Sequence, residues 1–152
     1  MNILFVCTAN ICRSFMAERI MRKKSIQEGI THLDISSAGI YQMNGHPADP
    51  KAVKILEKHG FDVSEHHSKV INKDMLKRSD LIPVMENVHS QIILEDLPGV
   101  AAKVHLLKSF SGDFNGTAED IKDPYRLSDY YYRLCFAEIT TSVNGLIKYI
   151  KK

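Results

Sequence analysis

Four short apolar runs punctuate the chain, at 2–6 (NILFV), 33–38 (LDISSA), 80–85 (DLIPVM) and 103–107 (KVHLL). None alternates strictly between apolar and polar residues, as a strand with one wet face would. Such runs suit strands covered on both faces, as in a parallel sheet lying between helices. Longer segments with helical periodicity separate them, at 14–28, 50–59, 72–77, 87–95 and 128–150. In the last, Tyr132, Phe136, Ile139, Val143, Leu146, Ile147 and Ile150 recur at helical spacing and form one apolar stripe. Alternating strands and helices predict an α/β, three-layer domain with a four-stranded parallel sheet flanked by helices. The objection is Pro83, which removes a ladder donor from what should be an interior strand. No repeat, low-complexity tract or linker divides the chain, so 1–152 reads as one domain.

Composition narrows the function classes. A formal charge of +2, with basic residues scattered, gives no reason to expect nucleic acid as a partner. No apolar run approaches the roughly 20 residues of a membrane helix. The first run lacks a preceding cationic segment and is too short for a signal peptide, so the expectation is a cytoplasmic protein without a membrane partner. Three cysteines make no disulfide framework and suit a reducing compartment. The seven histidines form no HExxH pattern and the cysteines no CxxC pair, so neither a metal nor a cofactor is expected.

The candidate chemistry sits at the end of the first strand. In an open α/β sheet, ligands bind where loops leave the carboxyl ends of strands. Cys7 stands at that point, and a helix begins near Ser14. The loop between them carries backbone N–H groups and a helix N-terminus to one spot, which makes an anion site. Arg13 adds a planar fork that can grip two oxygens of a phosphate. These groups favour the thiolate form of Cys7, and a thiolate facing a bound phosphate is a nucleophile aimed at phosphorus. Five residues between Cys7 and Arg13 suffice to wrap a loop around a tetrahedral anion. That phosphate-binding loop runs Thr8, Ala9, Asn10, Ile11, Cys12, Arg13, Ser14.

CTANICRS, with Cys7, Asn10, Ile11, Cys12, Arg13 and Ser14, resembles the signature loop of the low-molecular-weight protein tyrosine phosphatases. KDPYR supplies the distant Asp-Pro-Tyr of that family at Asp123, Pro124 and Tyr125. SSAG (36–39), ADP (48–50), His66 and LIPVME (81–86) follow in the family's order. The resemblance covers essentially the whole chain. It implies a phosphatase that hydrolyses phosphotyrosine and aryl phosphates through a cysteinyl-phosphate, acting on a protein substrate as a monomer or weak dimer.

On that resemblance Cys7 is the nucleophile, Arg13 binds phosphate and stabilises transition-state charge, and Asp123 is the general acid and then the base. Ser14 either donates to the Cys7 sulfur or caps the helix. Asn10 shapes the loop, since asparagine tolerates positive φ, and Ser37 and His66 brace it. Tyr125, Tyr41 and Met43 form the substrate rim. Cys12 has two readings: a redox partner that protects Cys7 through a disulfide, as in some family members, or a small hydrophobe that fills the loop. Cys135 is expected in the core.

Phe15 departs from the family's proline; it either softens the helix start or adds an apolar contact at the cleft. The segment 40–47 and Met85–Glu86 look like bacterial members that partner tyrosine kinases of capsule and exopolysaccharide assembly. Members of this fold that act on phosphoarginine carry threonine where this chain has Ile11, so Ile11 favours phosphotyrosine. Arsenate reductase shares the fold but needs a thiol relay for which only Cys135 is available. A non-catalytic phosphate-binding module would not need Cys7, Arg13 and Asp123 intact.

Overall fold

The computed structural model describes residues 1–112 and 119–152. Four strands, β1 (Asn2–Cys7), β2 (Asp34–Gly39), β3 (Ile82–Val84) and β4 (Val104–Leu106), pair in the order β2-β1-β3-β4. All pairings are parallel. The helices are α1 (Arg13–Gln27), α2 (Pro50–Lys58), α3 (Lys73–Arg78), α4 (Asn87–Asp96) and α5 (Asp129–Ile150). The expected four-stranded parallel sheet between helices is the observed one.

Alternate side chains of β1 enter opposite layers, which explains its unbroken apolar run. Ile3, Phe5 and Cys7 pack with residues of α1, α2 and α5, among them Phe15, Leu56 and Val143. Leu4 and Val6 pack on the other face with Leu76 of α3 and Ile93 of α4. The stripe on α5 faces the first layer: Tyr132, Ile139, Val143, Leu146 and Ile147 are buried, and Phe136 and Ile150 pack against them. Cys135 lies in the same layer.

Local signals set the helix starts. Asp49 accepts the Lys51 N–H at the head of α2, with Pro50 in the first turn, where its missing donor costs nothing. Asn72 accepts the Met75 N–H at the head of α3. The last strand is shorter than the apolar run at 103–107, because 3-10 turns over Pro98–Lys103 and Leu107–Phe110 close on it from both sides.

Pro83 does occupy an interior strand, paired with His105. Leu4 N–H donates to the Leu81 carbonyl at 3.0 Å and Met85 N–H to the Val6 carbonyl at 3.1 Å. Residue 83 therefore faces β1 as well, and the ladder loses one donor there while the bonds on either side hold it together.

Gly145 lies inside α5, where glycine costs about 0.5–1 kcal/mol relative to alanine. An alanine Cβ there would sit 1.5 Å from the Phe110 carbonyl oxygen. The helix can cross that 3-10 turn so closely only without a side chain.

Candidate active site

The strand order reverses at β1, which has β2 on one side and β3 on the other. Crevices form at such switch points, beyond the carboxyl ends of the strands. The loop 8–12 fills this one. Its backbone crosses directly over Gly39, where a Cβ would lie 2.8 Å from the Ala9 carbonyl carbon and 2.9 Å from Asn10 N. Asn10 takes φ +57°, the left-handed conformation its side chain tolerates.

Surrounding segments draw the loop's carbonyls outward. Tyr41 N–H donates to the Thr8 carbonyl at 2.9 Å, His66 Nε2 to the Asn10 carbonyl at 2.6 Å, and Asp49 N–H to the Ile11 carbonyl at 2.8 Å. In a trans peptide plane the N–H points opposite the carbonyl, so the N–H groups of Ala9, Ile11 and Cys12 turn inward. With the N-terminus of α1 they make a cradle for an anion.

Cys7 Sγ meets two donors, the Asn10 N–H at 3.3 Å and the Ser14 hydroxyl at 3.0 Å. A buried chain of bonds sets the direction of the second. The Glu18 carboxylate, paired with Arg22 at 2.8 Å, accepts the Ser37 hydroxyl proton. Ser37 Oγ can then accept from Asn10 Nδ2 at 2.9 Å, and the same amide donates to Ser14 Oγ at 2.8 Å. Ser14 is left with its own proton, which faces Cys7. Asn10 Oδ1 accepts the Lys69 N–H at 3.0 Å, so its whole amide is engaged. Ser14 does not cap the helix: α1 begins at Arg13, Cys12 is the N-cap residue, and no side chain bonds there.

The Arg13 guanidinium is 1% exposed. Nη1 reaches Glu86 at 2.7 Å and the Ile121 carbonyl at 2.7 Å; Nη2 reaches Thr8 Oγ1 at 3.2 Å and lies 3.4 Å from Asp123 Oδ2. Burial opposes its charge, but Cys7, Asp123 and Glu86 outweigh that and raise its pKa. Asp123 is held in an Asx turn by the Tyr125 N–H at 3.1 Å. The cleft is lined by the loop, Arg13, Asp123, Met43 and Tyr125.

Tyr41, expected on the rim, does not line this cleft; its backbone ties to Thr8 and its ring is 59% exposed. Phe15 neither touches the cleft nor disturbs the helix start. It is fully buried, stacked on the His66 ring at 4.6 Å with the Arg19 guanidinium over it at 5.1 Å. His66 thus braces the loop from behind, and burial lowers its pKa. Cys12 and Cys135 are buried, and burial pushes both thiols up.

The sequence reading missed Glu18, Glu86 and His89 as site residues. Glu18 lies one turn after Ser14 on the same helix, a spacing that put them on one face. Glu86 directly follows Met85 at the carboxyl end of β3, beside β1, which was signal enough for an acidic partner. Glu86 and His89 cap α4 reciprocally. Burial and the nearby Arg13 bring His89 from the usual 6.5 down to about 4.

That shift carries a pH signature. A histidine depressed by folding binds its proton more readily in the unfolded chain. Its contribution is full above about pH 6.5, is lost as pH falls toward 4, and amounts to about 3 kcal/mol at 1.36 kcal/mol per unit. His66 acts in the same direction. Thermal or urea denaturation between pH 4 and 8 should show stability falling on the acid side of pH 6.5, with a shallower fall in His89→Gln. Equal slopes in the two proteins would rule this out.

The model of the family described as low molecular weight phosphotyrosine protein phosphatase matches residues 2–152. The probable low molecular weight protein-tyrosine-phosphatase EpsP of Ralstonia solanacearum is 34% identical, over 99% of this chain and 96% of its own. The protein-arginine-phosphatase of Bacillus subtilis is 33% identical, over 100% of this chain and 98% of its own. The crystal structure of a YwlE mutant from Bacillus subtilis superposes with a TM-score of 0.91 at 30% identity, covering 100% of this chain and 99% of that one. With the family model matched almost end to end and close relatives aligned over nearly all of its length, this chain belongs to the low molecular weight phosphotyrosine protein phosphatase family.

Proposed function

We propose that this protein removes phosphate from phosphotyrosine in a protein substrate, and from simple aryl phosphates, as one catalytic domain spanning the chain. The observation that carries this reading is the convergence of the Cys7 thiol, the Arg13 guanidinium and the Asp123 carboxyl on one cleft with a partly apolar rim. Sγ of Cys7 attacks phosphorus in line, and the bond to the aryl oxygen breaks as Asp123 protonates that oxygen. Arg13 and the inward N–H groups hold the equatorial oxygens through the transition state. Water then attacks the cysteinyl-phosphate, Asp123 takes its proton, and the S–P bond breaks with the Ser14 hydroxyl donating to the departing sulfur. Inorganic phosphate leaves. No step uses a metal or cofactor.

Ile11, Met43 and Tyr125 offer apolar surface to an aromatic ring. That supports phosphotyrosine over phosphoarginine, whose guanidinium would bring polar N–H groups against the buried Ile11. The substrate in this reading is carried on a bacterial tyrosine kinase in the cytoplasm, and the enzyme works as a monomer or weak dimer. Among the described residues no helix is long and apolar enough to cross a membrane. The buried Cys12 and Cys135 offer no exposed relay for arsenate reduction. A protonated, buried Cys12 serves the resting enzyme as packing; the disulfide with Cys7 is its role under oxidation.

The test compares phosphotyrosine and phosphoarginine peptides as substrates in EDTA. The phosphotyrosine peptide should have at least about a 10-fold higher kcat/KM, equivalent to about 1.4 kcal/mol of differential transition-state binding. Preference for phosphoarginine, or activity that requires added metal, would overturn the reading.

A further inference from the structure

Arg13 is held at both of its terminal nitrogens, and the two holds share one origin. Nη1 is paired with Glu86. Nη2 donates to Thr8 Oγ1, and Thr8 Oγ1 lies 2.9 Å from Nε2 of His89. Glu86 and His89 belong to the same helix turn, locked together by the Glu86 N–H donating to His89 Nδ1 at 3.1 Å.

That last bond orients the ring. Nδ1 must be the acceptor, so the proton of a neutral imidazole sits on Nε2 and points at Thr8. The ring is 2% exposed, beside the Arg13 cation, and burial there opposes a second positive charge. Thr8 Oγ1 then accepts from His89 and Arg13 at once. The hydroxyl cannot rotate without breaking one of these bonds, so its rotamer and the lone pair offered to Arg13 are set by the imidazole.

We propose that His89 and Thr8 are a positioning pair for the phosphate-gripping guanidinium: His89 fixes the Thr8 hydroxyl, and Thr8 fixes Nη2 of Arg13. The first turn of α4 thus clamps Arg13 at both ends, directly through Glu86 and by way of Thr8 through His89. The pair raises affinity for phosphate by holding the fork in its gripping plane before the ligand arrives. This rests on the phosphatase reading of the same cleft.

The test measures binding of inorganic phosphate by calorimetry, together with kcat and KM for an aryl phosphate. Thr8→Val, which keeps the shape and deletes the hydroxyl, should weaken phosphate binding about 10-fold, as for loss of one hydrogen bond to a charged group. Thr8→Ser should restore most of it. His89→Phe should weaken binding by a similar factor, and His89→Gln, which keeps an N–H donor, by less. The double variant Thr8→Val/His89→Phe should be no worse than Thr8→Val alone, because His89 acts through Thr8. Thr8→Val needs no buried ring replaced, so it decides the matter even if His89→Phe folds poorly. Additive losses, or a Thr8→Val variant that binds phosphate like the wild type, would overturn the pairing. A wild type that neither binds phosphate nor hydrolyses the ester would instead remove the phosphatase reading beneath it.

Discussion

Cys7→Ser should abolish turnover of both an aryl phosphate and a phosphotyrosine peptide, by at least about 10⁴-fold, the scale seen when a nucleophile is removed. The reason lies in what surrounds the sulfur. Its recorded polar neighbours are the Asn10 N–H and the Ser14 hydroxyl, and both donate. Such an environment suits an atom that already carries negative charge or can acquire it easily. A serine hydroxyl placed there would need a base to take its proton, and the network running back to Glu18 supplies protons instead of accepting them. The variant should still bind inorganic phosphate, because the loop N–H groups and Arg13 are untouched. A Cys7→Ser enzyme retaining more than a hundredth of wild-type kcat would sink the covalent mechanism.

Asp123→Ala should lower kcat for a phosphotyrosine peptide by about 10²–10⁴, the usual worth of a general acid. Loss should grow with the basicity of the leaving phenolate, since a poorer leaving group depends more on the incoming proton. An aryl phosphate with a strongly electron-withdrawing ring should therefore suffer less than tyrosine phosphate. Asp123 is the residue for this task because one oxygen is tied down by the Tyr125 N–H while the other lies 3.4 Å from Arg13, at the mouth of the cleft. Its side chain is 43% exposed, so it can reach both a leaving group and the water that follows. A loss below 10-fold on the peptide, or one indifferent to the leaving group, would assign the proton to another residue.

Much of the fold was legible because its signals are local or periodic. The double-sided apolar run of β1 announced a sheet covered on both faces, and the stripe on α5 announced which side of that helix is buried. The spacing from Cys7 to Arg13 and the tolerance of Asn10 for positive φ are likewise properties of a few consecutive residues, and the loop uses both. Even the exceptions have local causes: the 3-10 turns that trim β4 lie within ten residues of it.

What chain order alone did not reveal depends on contacts between distant segments. Phe15 looked like a perturbation of the helix start or a cleft residue, but its place was decided by His66, which lies about fifty positions away and stacks on it in the core. Tyr41 looked like a rim residue, but its backbone bond to Thr8 leaves the ring exposed and clear of the cleft. Glu86 and His89 carried no motif of their own. They became part of the site because β3 lies beside β1, which brings the first turn of α4 against Arg13. The sequence by itself determined the nucleophile, the phosphate-gripping arginine and the loop between them, because a tetrahedral anion can be wrapped by one short segment. Tertiary structure decided how Arg13 is aimed and which way the Ser14 proton points, because a guanidinium or a hydroxyl is oriented only by partners that surround it in space.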